Sequence, residues 1–397
     1  MATRDVGDRS PQYVGGGVAV GPTSADSFRD ERADAHLARA LGERALRIRA
    51  LSADRWGEDK AVEMVGLDPT FLDVLAKLEK VARYREPVLV TGESGAGKEG
   101  MAQAIYLLGQ AKGKPYVSVN CPQYQEDNLT VSELFGHMKG SFTGAIVDRK
   151  GAFEEADGGV IFLDEIGDLN PGAQAMLLRT ISTGEYRPLG ATRPRMAQVR
   201  VVAATNRPLN RLVFTQQFRY DLLFRLQHFH LQLPPLRERG DDWRLILDHG
   251  LHRLRQRYGV EKHFSQAALS LLAGYPWPGN VRQLISVVTM GYAMADGDTI
   301  QPEDFEAQLS DTADEKEKSD VTLDLYRRIA SNGEDFWSVV YQPFMDRELN
   351  RSQVKTIVRK GLLAVDGNYR RLLDVFHLPS TDYQKFMDFL RHHELKP

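Results

Sequence analysis

Gly92-Glu-Ser-Gly-Ala-Gly-Lys98 follows the apolar run 87–90 and precedes the helix-compatible run 99–108. Its glycines let successive backbone N–H groups turn inward around a phosphate, and the start of the next helix adds the positive end of its dipole. Lys98 places a positive charge near the β- and γ-phosphate oxygens. The stretch therefore predicts a P-loop that binds a nucleotide, formed by Gly92, Glu93, Ser94, Gly95, Ala96, Gly97, Lys98 and Glu99.

One position of this loop departs from the usual pattern. Glu99 follows Lys98, where most P-loops have a Ser or Thr hydroxyl that holds Mg²⁺. A substitute appears at Asp164-Glu165, which ends the strand-like run 160–163. An Asp at the end of a strand can hold Mg²⁺ through water, and the next Glu can orient and deprotonate an attacking water. Acidic pairs at strand ends are common, but the upstream P-loop favours Asp164 as the magnesium residue and Glu165 as the base.

Polar residues also end two other strand-like runs. Thr205 and Asn206 follow the run 199–204, and Asn120 follows the run 116–119. In a parallel sheet the carboxyl ends of the strands share one edge, so Thr205 and Asn206 are expected at the edge that carries Asp164. Either Asn could instead be an ordinary turn or cap residue.

Three arginines are candidates for contact with a nucleotide. Arg219 and Arg225 lie in the stretch 218–226, and Arg282 lies in the stretch 277–283. Isolated arginines are usually solvated surface residues. Phosphoryl transfer, however, gains from a guanidinium group that meets the charge developing on the γ-phosphate.

Apolar runs and charge patterns divide the chain into five parts. The middle part holds five short apolar runs separated by helical or loop segments, which predicts an α/β fold with a parallel sheet. A helical region follows, then a charged linker and a second helical region. The predicted parts are an extension at 1–60 with a helical run from about 25 to 51, the α/β part at 61–236, the helical region at 237–309, the linker at 310–320 and the C-terminal helices at 321–397.

The composition excludes several classes of protein. The 397 residues include 51 Lys and Arg against 54 Asp and Glu, so any basic surface for nucleic acid has to be local. The single cysteine, Cys121, excludes a disulfide framework. No apolar run approaches the roughly 18 residues of a membrane-spanning helix, and no signal peptide is recognisable at the N-terminus. These features predict a cytoplasmic protein that does not contact membranes.

The most specific stretch is Glu133-Leu-Phe-Gly-His-Met-Lys-Gly-Ser-Phe-Thr-Gly-Ala145. It closely resembles the signature of the loop that bacterial enhancer-binding proteins, the AAA+ activators of sigma-54 RNA polymerase, insert into sigma-54. The resemblance covers residues 65–305. Other matching pieces are GESGAGKE at 92–99, IFLDEIG at 161–167, FRYDLLFRL at 218–226, LPPLRER at 233–239 and WPGNVRQL at 277–284.

The resemblance implies an AAA+ P-loop ATPase with a helical lid, a hexameric ring, and ATP with Mg²⁺ as ligands. It gives Lys98, Asp164 and Glu165 the roles that the residues already suggested. It also implies that Asn120 is a switch that holds the catalytic glutamate inactive, that Thr205 and Asn206 form the first sensor, and that Arg282 is the second sensor. Arg219 and Arg225 would be arginine fingers that reach a neighbouring subunit. The sigma-54 loop would comprise Gly140, Ser141, Phe142, Thr143, Gly144 and Ala145.

Departures from the family pattern are modest. Glu99 is common in the family, so it is no longer an anomaly. Ser141 replaces the usual Ala beside the loop Phe, which puts the fit to sigma-54 in question. Ala96 replaces a usual Thr, and Tyr220 and Gln283 stand where Glu is common. None of these changes removes a group that hydrolysis needs.

The C-terminal part resembles a Fis-like helix-turn-helix. Its stretch 365–385 has a Gly-Asn opening, a helix, a short turn and a second helix, and residues 351–397 hold nine Lys or Arg against five Asp or Glu. Tyr383, Gln384 and Lys385 would lie near the start of the second helix, where recognition helices contact bases. His377-Leu-Pro379 departs from the usual turn, so a three- or four-helix interaction module is the alternative.

Two functions follow from this reading. The favoured one is a sigma-54-dependent activator, a ring ATPase that remodels the closed complex of sigma-54 RNA polymerase and binds DNA upstream of promoters. The alternative is a regulator that binds ATP and DNA and acts by occupancy, without sigma-54. No receiver domain fits before Val65, so the activating signal could come from a separate regulatory protein.

Overall fold

The computed structural model describes residues 40–121, 127–142, 144–309, 322, 324–330, 333–346, 349–365, 367–393 and 395. These residues form two compact units. The first comprises the described residues up to Arg253 together with Gly279–Leu284, and the second comprises Leu254–Pro278 and the described residues from Ile285 onward. In the part of the chain described, no helix has both the length and the apolar character that crossing a membrane requires.

A five-stranded parallel sheet forms the centre of the first unit, as the alternating sequence pattern predicts. In chain order the strands are β1 Val88–Thr91, β2 Tyr116–Asn120, β3 Val160–Asp164, β4 Glu185–Tyr186, β5 Arg195–Met196, β6 Arg200–Thr205, β7 Phe229–Gln232, β8 His263–Phe264 and β9 Thr299–Ile300. The central sheet has the order β2-β3-β6-β1-β7, whereas β4–β5 and β8–β9 are separate pairs. Strand β1 is thus flanked on both sides, and Val88 pairs with Val202 and Phe229.

Helices cover both faces of this sheet, so its strands are apolar on both sides. Val88 and Val90 face one core and Leu89 faces the other, and β3 and β6 alternate in the same way. The helices between residues 40 and 309 are α1 Glu43–Trp56, α2 Pro69–Ala82, α3 Lys98–Leu108, α4 Asp127–Phe135, α5 Ala152–Glu155, α6 Pro171–Thr183, α7 Leu209–Phe214, α8 Tyr220–Leu226, α9 Asp242–Tyr258, α10 Gln266–Ala273 and α11 Asn280–Met294, with 3₁₀ turns at Glu58–Lys60, Ile166–Asp168, Leu236–Glu238 and Pro302–Asp304.

Local capping fixes where these helices begin and end. Helix α2 starts after Asp68, whose side chain accepts a hydrogen bond from the N–H of Thr70. Helix α6 starts with Pro171 after the capping residue Asn170 and ends at Gly184, which takes a left-handed conformation.

The N-terminal helix differs from its predicted bounds. The prediction ran from about residue 25 to residue 51, and the part before residue 40 lies outside the described residues. The observed helix is Glu43–Trp56 and is followed by Gly57. Leu41 and Ile48 of the predicted apolar stripe are buried in the same core as Val88. The core around the sheet therefore includes residues before position 60, while the predicted domain boundaries stay a prediction.

The C-terminal residues form a helical core of their own. Phe336, Phe376, Phe386 and Phe389 lie at its centre. The predicted linker at 310–320 lies outside the described residues. The elements are a helical segment at 324–330, a π-helical turn Trp337–Tyr341 continuing into Gln342–Met345, α12 Arg351–Ala364, α13 Tyr369–Val375, a 3₁₀ turn Ser380–Asp382 and α14 Tyr383–His392.

The start of α13 accounts for the Gly-Asn opening, and the turn between α13 and α14 accounts for the departure from the helix-turn-helix pattern. Asn368 caps α13 by accepting hydrogen bonds from the N–H groups of Arg370 and Arg371, which accounts for the Gly-Asn opening. His377 adopts φ +52°, a conformation that favours glycine. The chain thus forms the tight turn without a glycine.

Candidate nucleotide-binding site

The predicted P-loop connects β1 to α3. Lys98 begins α3, and its Nζ donates hydrogen bonds to the carbonyl oxygens of Gly92 at 3.2 Å and Glu93 at 3.4 Å. Gly97, immediately before the helix, has φ +107°, which a residue with a Cβ rarely adopts. The loop therefore curls around the Lys98 amino group, with the start of α3 directed at the same space.

The acidic pair meets this loop directly. Nζ of Lys98 lies 3.1 Å from Oε1 of Glu165, and Oε2 of Glu165 accepts a hydrogen bond from the N–H of Asn206 at 2.9 Å. Glu165 itself has φ +50°, a strained conformation for a residue other than glycine. The structure thus brings the P-loop lysine, the predicted base and the end of β6 together, although they are far apart in sequence.

Asp164 suits a hydrated divalent cation. Burial raises the pKa of its carboxyl group, and the negative charge of Glu165 raises it further. One oxygen accepts a hydrogen bond from the N–H of Glu165 at 3.1 Å, and among the described residues no donor reaches the other. A half-buried carboxylate oxygen without a donor fits an oxygen-preferring cation such as Mg²⁺. Among the described residues no group of three or more His, Cys, Asp or Glu is arranged to hold a metal ion.

The other polar strand ends reach the same edge of the sheet. Asn120 pairs in register with Asp164, and Thr205 pairs with Thr91, directly before the P-loop. The hydroxyl of Thr205 is buried and accepts a hydrogen bond from the N–H of Arg207 at 3.0 Å. Among the described residues no hydrogen bond joins Asn120 to Glu165, whose carboxylate is held by Lys98 and Asn206 instead. The switch role of Asn120 therefore has no contact to support it in this structure.

The three predicted arginines fall into two groups. Arg282 contacts the P-loop, because its N–H donates to the carbonyl of Gly95 at 3.4 Å and its Nη1 to Oγ of Ser94 at 3.3 Å. Arg219 and Arg225 lie at α8 and have no ion pair or hydrogen bond with the P-loop among the described residues. The side chain of Arg219 pairs with Asp221 at 2.8 Å.

The predicted sigma-54 loop is closed at its base. The N–H of Gly140 donates to the carbonyl of Ala145 at 2.8 Å. The ring of Phe142 is partly buried and packs edge-on against His137, with centroids 5.1 Å apart. Phe142 is therefore only partly exposed in this structure, because the buried His137 ring lies against it, and its contact with sigma-54 stays a prediction. Thr143 lies outside the described residues.

Sequence reasoning missed three residues that the site uses. Asn280 and Arg237 hydrogen-bond to Glu93 of the P-loop, and the His137 ring packs edge-on against the ring of Phe142. All three lie in sequence stretches that match the family pattern, and this match is the signal that could have identified them.

The predicted DNA-contacting residues lie at the start of α14. Gln384 and Lys385 are exposed, and Tyr383 is partly buried. The Nζ of Lys385 lies 4.0 Å from the centre of the Trp337 ring, whose Nε1 donates to Asp382 at 3.0 Å. The π-helical turn therefore contacts the first turn of α14, which sequence reasoning did not anticipate.

The chain matches two domain families. Residues 64–232 match the sigma-54 interaction domain, and residues 237–322 match the AAA+ ATPase lid domain. Residues 64–322 therefore comprise a sigma-54 interaction domain followed by an AAA+ lid domain. This confirms the resemblance, the AAA+ fold and the helical lid.

Curated relatives share this central part. The chain is 40% identical over 266 residues to the nitrogen fixation protein AnfA of Azotobacter vinelandii, covering 67% of this chain and 50% of the relative. It is 44% identical over 248 residues to the nitric oxide reductase transcription regulator NorR1 of Cupriavidus necator, covering 62% and 48%. It is 40% identical over 263 residues to the DNA-binding transcriptional regulator NtrC of Azospirillum brasilense, covering 66% and 54%. The chain thus spans about half the length of the curated relatives it matches.

A solved structure of NtrX from Brucella abortus in complex with ADP has the same fold. The TM-score is 0.58 at 22% sequence identity, covering 92% of this chain and 73% of that one.

Proposed function

We propose that this protein hydrolyses ATP and uses the energy to remodel the closed complex of sigma-54 RNA polymerase. The observation that carries the proposal is the 3.1 Å contact between Lys98 and Glu165. It joins the two halves of an ATPase site, the phosphate-binding loop and the water-activating acid. Nucleotide complexes of the structural neighbour NtrX support ATP as the ligand.

The chain's own residues divide the reaction between them. The P-loop N–H groups and Lys98 hold the phosphates, and Asp164 would hold Mg²⁺ through water, whose charge offsets that of the phosphate oxygens. A phosphate at Lys98 would compete with Glu165 for the ammonium group. The carboxylate released in this way can accept a proton from the attacking water. Arg282, which contacts the P-loop, can meet the charge that develops on the γ-phosphate.

A ring is part of the proposal. In this proposal Arg219 and Arg225 act on another subunit's nucleotide. Among the described residues neither contacts the P-loop of its own chain, which is compatible with that role. Beside them Tyr220 is 70% exposed and Phe224 is 74% exposed, a large apolar area for a monomer. A hexamer of this kind would place arginines and aromatics of one copy against the next. DNA binding by the C-terminal helices stays a prediction.

Co-purification with sigma-54 tests the function. We expect the protein to retain sigma-54 in the presence of ADP and a metal fluoride that mimics the γ-phosphate in transfer. Phe142→Ala should lose most of that retention and keep ATPase activity, because Phe142 supplies the apolar anchor and lies outside the ATP site. The measurement is sigma-54 recovered per mole of protein, with phosphate release measured in parallel.

The matched control is Val260→Ala, which shortens another exposed apolar side chain outside the loop. It should retain sigma-54 like the unmutated protein. If the unmutated protein hydrolyses ATP and never retains sigma-54, the alternative of a regulator that acts by occupancy is favoured. Absence of ATP hydrolysis would contradict the ATPase assignment itself.

A further inference from the structure

The side chain of Glu93 turns away from Lys98 and joins two distant segments. Its carboxylate accepts hydrogen bonds from Nη1 and Nη2 of Arg237, at 2.8 and 2.5 Å, and from Nδ2 of Asn280 at 3.1 Å. Arg237 belongs to the 3₁₀ turn Leu236–Glu238, and Asn280 begins α11. One P-loop carboxylate therefore holds two stretches that lie 144 and 187 residues further along the chain.

Asn280 is the centre of this network. Its side chain is fully buried, and its backbone takes φ +51°, a left-handed conformation that Asn tolerates better than most residues. Nδ2 donates to Glu93 and to the carbonyl of Ser94 at 3.0 Å, and Oδ1 accepts from the N–H of Leu236 at 2.8 Å. A buried amide with specific partners on both its oxygen and its nitrogen fixes one arrangement of the three segments.

The contact between Glu93 and Arg237 orients the two side chains and adds little to the stability of the folded state. The hydrogen bonds from Arg237 hold the pKa of Glu93 below its usual value of 4.5, and Asn280 and the arginine charge act in the same direction. Glu93 is therefore ionised at neutral pH. Both side chains are 41% exposed, so solvent screens their attraction. The bidentate geometry nevertheless fixes the orientation of the carboxylate.

The same segment carries Arg282. Two residues after Asn280, its N–H and its guanidinium contact Gly95 and Ser94 of the P-loop. The approach is close, because a Cβ on Gly95 would lie 2.2 Å from the carbonyl oxygen of Gly279. Releasing Asn280 would therefore move the Arg282 guanidinium away from the phosphates.

We propose that Glu93, with Asn280 and Arg237, positions Arg282 against the nucleotide. Glu93 is then a positioning residue whose side chain does not bind phosphate. This inference rests on the proposed ATPase function. It goes beyond that function by assigning a role to Asn280 and Arg237, which had none. Its consequence is that loss of the Glu93 carboxylate has an effect only while Arg282 is present.

A double-mutant cycle tests this dependence. Glu93→Gln keeps the size of the side chain and weakens its hold on Arg237 and Asn280. We expect Glu93→Gln to lower kcat/KM for ATP by about tenfold, because a displaced Arg282 guanidinium stabilises the transition state less well. Arg282→Ala should lose at least as much, and the double variant should lose no more than Arg282→Ala alone. Thermal unfolding of each variant is measured alongside the kinetics.

The matched control is Glu79→Gln, since Glu79 also accepts hydrogen bonds from two donors, Arg44 and Arg47. Its kinetics should equal those of the unmutated protein. The inference is overturned if the losses in activity multiply in the double variant, or if Arg282→Ala loses no activity. In either case, ATPase activity of the unmutated protein still supports the proposed function. An unmutated protein without ATPase activity overturns both.

Discussion

Glu165 combines an unusual backbone conformation with two specific contacts. Its φ of +50° costs on the order of 1 kcal/mol for a residue with a side chain. The same conformation lets its carboxylate reach both Lys98 and the N–H of Asn206. Strain of this kind persists only where the surrounding structure holds it, and it is concentrated at functional sites. At this residue the backbone therefore supports the assignment that the side chain suggests.

Replacing Glu165 by Gln tests the assigned base. The amide keeps the size of the side chain and a hydrogen-bond acceptor for Asn206, but it cannot accept a proton from water at neutral pH. We expect Glu165→Gln to bind ATP and to lower turnover by about 100-fold or more. Nucleotide binding and phosphate release are measured on the same samples.

Glu58→Gln, a change at an exposed glutamate in the turn after α1, is the control and should leave turnover unchanged. Undiminished hydrolysis in Glu165→Gln would contradict the role of this residue.

At the scale of elements, α8 is built to face both inward and outward. Leu222, Leu223 and Leu226 are buried, whereas Tyr220 and Phe224 are exposed. Its last turn carries Arg225, which has no ion pair among the described residues. A short helix with a buried side and an aromatic outer side is typical of an interface between subunits.

Mixing two inactive variants tests whether α8 serves a neighbouring subunit. If the proposed ring forms, Arg225→Ala should lose hydrolysis because the proposed finger is absent, and Lys98→Ala should lose it because its own site cannot hold phosphate. Mixed rings would contain sites with an intact P-loop next to an intact finger, so part of the activity should return. Phosphate release is followed as the ratio of the two variants is varied.

Each variant alone at the same total concentration is the control. If no ratio of the two variants restores any activity, the sharing of sites between subunits is in doubt.

At the scale of the whole molecule, ion pairs join elements far apart in the first unit. Glu63 accepts hydrogen bonds from His249 at 2.9 Å and Arg253 at 3.0 Å on α9, and from Arg49 of α1 at 3.4 Å. Burial alone would raise the pKa of Glu63, but the hydrogen bond from His249 and the charges of His249, Arg253 and Arg49 together outweigh burial and leave the pKa below 4.5. This cluster links the N-terminal helix to the first residues of the predicted lid.

The lowered pKa predicts how stability depends on pH. Because the folded state binds the Glu63 proton less tightly than the unfolded state, the stabilisation is complete above pH 4.5. It is lost as pH falls through the lowered pKa. Glu63→Gln should therefore have a lower thermal midpoint at neutral pH and approach the unmutated protein in acid. A difference in midpoint that stays constant across this range would contradict the argument.

Some features of the structure could be predicted from the sequence, and others could not. The five core strands were predicted correctly, because each depends on a short apolar run. The glycine-rich loop and the acidic pair lie at the ends of β1 and β3, as expected, while their roles stay predictions. Helix α1 begins at Glu43 and extends to Trp56, beyond the predicted end near residue 51, and the predicted part before residue 40 lies outside the described residues. The packing of Phe142 against His137 was not anticipated, because no local pattern says that the two rings lie within contact distance.

The sequence by itself determined the fold class and the position of the glycine-rich loop between β1 and α3. Loops that bind phosphate through backbone N–H groups need glycines at fixed spacing, and buried parallel strands need continuous apolar runs. Only the tertiary structure decided which distant residues meet: Asn280 on Glu93, Glu165 on Lys98, and Trp337 over Lys385. Such contacts depend on how elements pack around a common core, and packing is set by the shape of the whole unit and not by the residues next to each partner in the chain.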